Sequence, residues 1–168
     1  PSQFRDPELV SHVKSALEKT GVLASCLELE ITEGVLMSGY VYINESLNEI
    51  SDLGVTIAMD DFGTGYSSLS YLRQYPFDVL KIDRSFINDI SEEVAVRELV
   101  NAAIAMAHAL GLIVVAEGVE TDEQLAVLKA LESDVAQGYL FSKPVPAQQL
   151  FDYSGYAAVL SAAKKEKV

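Results

Sequence analysis

The sequence has 168 residues, about one domain of ~150; 12 basic against 25 acidic side chains give a formal charge of −13, which excludes a nucleic-acid backbone or an anionic lipid surface as the main partner. A phosphate ligand stays compatible, because metal ions held by carboxylates reverse the sign locally. A 49% hydrophobic and 22% charged composition with one cysteine, Cys26, excludes disorder, a disulfide framework and a Cys-rich zinc site, and no run nears the ~18 apolar residues of a membrane span.

The chain opens on PSQFRDPELV, which is neither a signal peptide nor a Met start, and it reads as a piece of something longer. Asp6 can cap a helix with Pro7 at its first position and Val10, Val13 and Leu17 on one face, ended by Gly21. Leu27 to Thr32 reads as a strand, Val41 to Leu53 as a helix closed by Gly54, and Val55 to Met59 as a strand buried on both faces. Ser67 to Gln74 is a short helix and Val79 to Ile82 a third strand. Ser91 can cap a long helix, with Glu92 and Glu93 favourable to its dipole, Val96, Leu99, Val100, Ala103, Ala107 and Leu110 on its buried face, and Gly111 at its end. Ile113 to Ala116 is a fourth strand, and Thr121 with Gln124 forms a capping box for the next helix. A weaker strand runs near Val135 to Leu140, a helical region follows Pro146, and AAKKEKV is a frayed end.

Alternating strands and helices imply parallel strands with helical crossovers. Strand starts run from 27 to 135 in four steps, a mean of 27 residues. Eight such units need about 216 residues, and complete (β/α)₈ barrels run ~250, so the chain supplies about five strands of a barrel. An open doubly wound sheet would fit the length equally well. The acids decide between the two. Glu30 and Glu33, Asp60 and Asp61, Lys81 and Asp83, and Glu117 and Glu120 stand at the ends of four successive strands, with Gln137 in the fifth. In a barrel those ends share the active-site face, whereas an open sheet gathers its ligand at two or three.

A lone strand-end glutamate is ordinarily solvated or a helix cap. Asp60 and Asp61 are different, since adjacent carboxylates before the FGTGYSS loop repel each other unless a cation or proton lies between them. Successive strand residues point opposite ways, so both reach one site only if the strand ends between them. One ion bridged by Asp60 and a second held by Asp61 would resolve both problems. Oxygen ligation without Cys or clustered His favours Mg²⁺ or Mn²⁺ over zinc, and paired ions of this kind hydrolyse phosphodiesters. Lys81 is either a snorkelling strand-end lysine or a charge that orients water and offsets phosphate charge. Glu33 can brace the glycine-rich loop after Asp61. His108 reads as structural, His12 lies on the first helix, and Cys26 is a small hydrophobe.

The runs LELEITE, DDFGTGYSSLSYL, LKIDRSFI, VVAEGVET and QGYLFSKP, in that order, resemble the EAL-domain phosphodiesterases of bacterial cyclic di-GMP signalling. The likeness spans about Pro1 to Pro146. It implies an α/β fold, a modified TIM (β/α)₈ barrel that is incomplete here with about five parallel strands, and hydrolysis of cyclic di-GMP to linear pGpG with Mg²⁺ or Mn²⁺. It also implies that Glu30 is a metal ligand, that Asp60 bridges the two metals, and that Asp61 holds the second. Lys81 would stand near the attacking water, and Glu117 would be a metal ligand or water-activating group supported by Glu120. Gln137 would contact the phosphate region, and Glu33 would be the loop-bracing glutamate. The DDFGTGYSSL loop and the helix after it tend to mediate dimers in the family.

PSQFRDPELV resembles the segment just after the family's Asn-x-Ser run, so three strands and two metal ligands, that asparagine and the Glu-Ala-Leu glutamate, are not here. Residues 1–153 then form the C-terminal part of an EAL barrel and 154–168 a helical or frayed tail. The expectation is weak or no activity for this chain alone, an active parent, and self-association through open barrel edges. A GGDEF or sensor domain upstream and a cytoplasmic location, where cyclic di-GMP is found, complete the implied setting, without direct membrane insertion. A non-catalytic cyclic di-GMP-binding or protein-interaction module is the alternative. Another metal-dependent barrel, such as an enolase-type lyase, would explain the strand-end acids but not DDFGTG, KIDRSF and AEGVET together.

Overall fold

The computed structural model describes residues 3–37, 42–63 and 69–150. After a short 3₁₀ turn, α1 (Leu9–Thr20) leads to β1 (Glu28–Thr32), the single-turn α2 (Glu33–Met37) and α3 (Ile43–Asp52). β2 (Thr56–Phe62), α4 (Leu69–Gln74), β3 (Val79–Ile82), α5 (Arg84–Asn88) and α6 (Val94–Ala109) follow. The described chain closes with β4 (Ile113–Glu117), α7 (Asp122–Ala130), β5 (Val135–Gln137) and α8 (Ala147–Leu150). The five strands are all parallel and pair in chain order, β1-β2-β3-β4-β5. That order is the one helical crossovers of uniform hand produce when each steps to the same side of the sheet.

The register gives the sheet two unlike faces. Ile31, Ile57, Met59, Leu80, Ile82, Val114 and Ala116 alternate onto one side, where each is at most 2% exposed within the apolar core. Glu28, Glu30, Ala58, Asp60, Val79, Lys81, Ile113, Val115, Glu117, Val135 and Gln137 fall on the other. That second face carries the strand-end acids, and at its foot Ile113 and Val135 are 50% and 45% exposed. Two aspartates that precede strands reinforce the parallel pairing. Asp78 accepts the Ile57 N–H at 2.9 Å and Asp134 the Val114 N–H at 2.8 Å, in each case the second residue of the preceding strand.

Several boundaries differ from the sequence reading. α1 begins at Leu9, while Asp6 accepts the Glu8 N–H in the turn before it; Gly21, at φ 68°, ends it as expected. α2 is an added element, whose Val35 and Leu36 are buried. α6 starts at Val94 with Glu93 at its N-cap position and no side-chain cap; Ser91 lies two residues earlier, where its carbonyl and that of Ile90 accept from the Arg97 guanidinium. Its buried stripe is Val100, Ile104 and Ala107, which turns Leu99 outward to 60% exposure and Leu110 to 38%. β5 stops at Gln137, where the chain turns across Val119. The capping box of α7 forms as expected. The glycine-rich loop 64–68, Val41 and the tail lie outside the described residues. No helix among the described residues is long and apolar enough to cross a membrane.

Candidate active site

Lys81 is the centre of the polar face. Its side chain is 6% exposed and lies among three carboxylates from three strands. Its ammonium donates to Glu30 on β1 and, at 2.8 Å, is paired with Glu117 Oε1 on β4. Asp60 Oδ1 on β2 lies 3.3 Å away, off the hydrogen-bonding direction, so among the described residues this buried oxygen accepts no hydrogen bond. Burial alone would lower the lysine's pKa. The hydrogen bonds to Glu117 and Glu30 and the charges of Glu117 and Asp60 outweigh it, holding the ammonium above its ordinary value.

Asp60 and Asp61 are presented by a bulge. β2 pairs with β3 at Ala58–Val79 and Met59–Leu80 and then at Phe62–Ile82, so two residues of β2 stand opposite Lys81 alone. Asp61 carries the break at φ 55°, a conformation aspartate adopts more readily than most residues. The strand therefore runs past Met59 instead of ending, and an extra residue, not a terminus, frees Asp61 from strict alternation. Burial, followed by the charges of Asp60 and Asp83, raises the Asp61 pKa, with Lys81 opposing.

The remaining candidates divide. Gln137 shares a rung with Glu117 and is exposed, and its carbonyl accepts the Val119 N–H at 3.0 Å. Glu120 is exposed, and its N–H is held by Gln124. Glu33 is buried at 5% as the first residue of α2. Asp83 is a helix cap that accepts the Ser85 N–H; burial works against its charge, but the Ser85 hydrogen bonds hold its pKa below the ordinary value. His108 pairs with Asp134 at the far end of the sheet, consistent with a structural role. Sequence reasoning saw Gln124 only as a cap, although its burial at 6% exceeds what capping asks.

The donor chemistry suits a hard divalent ion. Glu30, Asp60, Asp61 and Glu117 offer only carboxylate oxygens, four acids against one ammonium, and Asp60 keeps a buried oxygen without a hydrogen bond. Among the described residues no three His, Cys, Asp or Glu side chains are set as a metal site, and Glu30, Asp60 and Glu117 converge on the Lys81 ammonium.

Five parallel strands in chain order, with acids gathered at the strand ends, form the arrangement of part of a TIM barrel. The chain belongs to the EAL domain family, which matches residues 1–144. The cyclic di-GMP phosphodiesterase NbdA of Pseudomonas aeruginosa is 50% identical over 145 residues, 86% of this chain and 18% of NbdA. MucR of the same organism, a bifunctional diguanylate cyclase/cyclic di-GMP phosphodiesterase, is 43% identical over 148 residues, 88% of this chain and 22% of MucR. The solved PaMucR phosphodiesterase–c-di-GMP complex superposes with a TM-score of 0.83 at 42% identity, covering 88% of this chain and 60% of that one. Klebsiella pneumoniae BlrP1, solved as a manganese/cyclic di-GMP complex, superposes at 0.79 with 31% identity, over 85% of this chain and 36% of that one. The chain therefore spans under a quarter of the length of the two curated relatives.

Proposed function

We propose that the chain carries the acidic centre of a cyclic di-GMP phosphodiesterase, and that the longer protein hydrolyses one phosphodiester to give linear pGpG. The observation behind this reading is the convergence of Glu30, Asp60 and Glu117 on Lys81 in a chain of this family. Glu30, Asp60, Asp61 and Glu117 would hold Mg²⁺ or Mn²⁺, and Asp60 would serve both ions of a pair. Such ions supply Lewis-acid polarisation of the phosphodiester and a lowered pKa for water. Lys81, buried and held by its carboxylates, orients the attacking water and offsets phosphate charge. Glu117 would serve as a metal ligand or as the group that activates the water, Gln137 beside it would contact the phosphate, and Glu120 and Glu33 would support the turn and the loop after Asp61. The working domain is residues 1–153, with 154–168 as a tail. A second copy of the chain and a GGDEF or sensor domain are its partners, as MucR's double activity suggests, and cyclic di-GMP places it in the cytoplasm.

Taken alone, the chain turns over little or no substrate, because the family's other two ligands are not among its residues. The test follows pGpG by chromatography from the chain and from the longer protein with Mn²⁺, each against Asp60→Asn. Product from the longer protein that disappears in Asp60→Asn supports the reading. Binding without product from folded protein replaces it with a binding module, and product from the chain alone overturns its inactivity.

A further inference from the structure

We infer that Gln124 is a positioning residue for Glu117, clamping the turn after this acid to the helix that follows Lys81. The inference rests on the active centre proposed above. The rungs between β3 and β4 end at Ile82–Ala116, so Glu117 lies one residue past the last rung it could share with the strand of Lys81. Its own rung, with Gln137, is on the other side. No rung joins Glu117 directly to the strand of Lys81, so what ties the two following segments together also bears on their 2.8 Å contact.

Gln124 is that tie. Its Oε1 accepts the Glu120 N–H at 2.8 Å and the Thr121 N–H at 3.1 Å, and its Nε2 donates to the Asn88 carbonyl, the last residue of α5, at 3.3 Å. Only this amide orientation sets an acceptor against two donors and a donor against a carbonyl. A capping box is satisfied by glutamate as well as glutamine, but the bond to Asn88 needs the amide N–H. The turn between Glu117 and Glu120 has little room to drift. A Cβ on Gly118 would lie 2.4 Å from Arg84 Cβ. Val119 donates to the Gln137 carbonyl and accepts from the Leu140 N–H, both at 3.0 Å. A shift at Glu120 and Thr121 is thus passed back to Glu117.

The test is NMR of the full chain, comparing Gln124→Leu and Gln124→Glu with the parent sequence. One readout is amide exchange at Glu120 and Thr121; the other is the Lys81 ammonium resonance, which its carboxylate contacts protect from exchange with water. In Gln124→Leu both amides exchange about tenfold faster, the factor of one lost net hydrogen bond, and the Lys81 resonance weakens. Gln124→Glu keeps both amides protected, because a carboxylate accepts both bonds, yet still shifts the Lys81 resonance through the lost Asn88 bond. A Lys81 resonance unchanged in both variants overturns the inference and leaves Gln124 a helix cap. Should Gln124→Leu not fold, Gln124→Glu decides by the same resonance. Neither readout involves turnover, so a chain that hydrolyses nothing does not decide the matter.

Discussion

Asp134 Oδ2 accepts the Val114 N–H at 2.8 Å and lies 2.8 Å from His108 Nε2, so one carboxylate fastens β4 and α6 at the end of the sheet opposite the acids. Val114 is fully buried, and Asp134→Ala leaves its N–H unpaired at a cost of about 1–3 kcal/mol. Asp78→Ala does the same to Ile57, also fully buried. Burial works against the charge of Asp134, but the Val114 and His108 hydrogen bonds outweigh it and depress its pKa. A depressed carboxylate contributes stability above its ordinary pKa of 3.8, which is lost as pH falls through the lower folded value. Urea unfolding across the acid range should therefore show a shallower loss in Asp134→Asn than in the parent chain.

Lys81→Met removes the ammonium paired with three carboxylates. Without metal the cost at neutral pH is about 2 kcal/mol, below the ~3–5 of a fully buried pair, because Glu30 is 48% exposed and screened by solvent. The crowded acids of the variant bind protons more readily folded than unfolded, so its stability rises as pH falls through the carboxylate range. The parent chain behaves otherwise. The raised Lys81 pKa contributes stability fully below about 10.5, lost as pH rises through the folded value. Denaturant midpoints against pH check both slopes, and a neutral midpoint unchanged by Lys81→Met would contradict the prediction.

Three glycines test close approach. A Cβ on Gly138 would lie 2.1 Å from the Val119 carbonyl oxygen, which as backbone cannot yield easily. Gly118 is both crowded by Arg84 and held at φ 75°. Alanine at either should destabilise by about 1–3 kcal/mol or more. Gly34 lies inside α2 with no atom near its missing Cβ, so Gly34→Ala should stabilise by up to about 1 kcal/mol. Thermal melts should place Gly34→Ala at or above the parent chain and both Gly118→Ala and Gly138→Ala below it.

Asp61→Asn separates charge from conformation. Asparagine tolerates the φ of 55° about as well as aspartate, so the melting temperature should stay within a few degrees, while turnover by the longer protein falls at least about tenfold. Asp61→Val forces a branched residue into the same conformation and should cost about 1–3 kcal/mol as well. Equal melting temperatures for the two variants would mean that the bulge imposes no strain.

The cores of β2 and β4 were legible as apolar runs bounded by turn residues, and Val79 to Ile82 falls where the sequence placed it. α2 was not legible. Five residues with a glycine among them carry no period, and α2 is visible only through the burial of Val35 and Leu36. The outward face of Leu99 was misread because α6 is apolar nearly all round, so many stripes look equally buried. The acids were legible as a set but not as individuals, since only tertiary geometry separates Asp83, a cap, from Asp60, which faces Lys81. Gln124 matched a capping pattern, and nothing in that pattern announces a third bond to a residue 36 positions away.

The two-faced sheet has a consequence for how the chain finds its pairing. If a strand entered one residue out of step, its odd and even side chains would trade sides. A slip of β3 would push Lys81 in among Ile57 and Val114 and turn Leu80 and Ile82 onto the polar face. Burying unpaired charges costs several kcal/mol each, so misaligned assemblies are rejected more strongly than an all-apolar sheet could manage. The residues read here as chemical equipment thus also act as alignment marks during assembly.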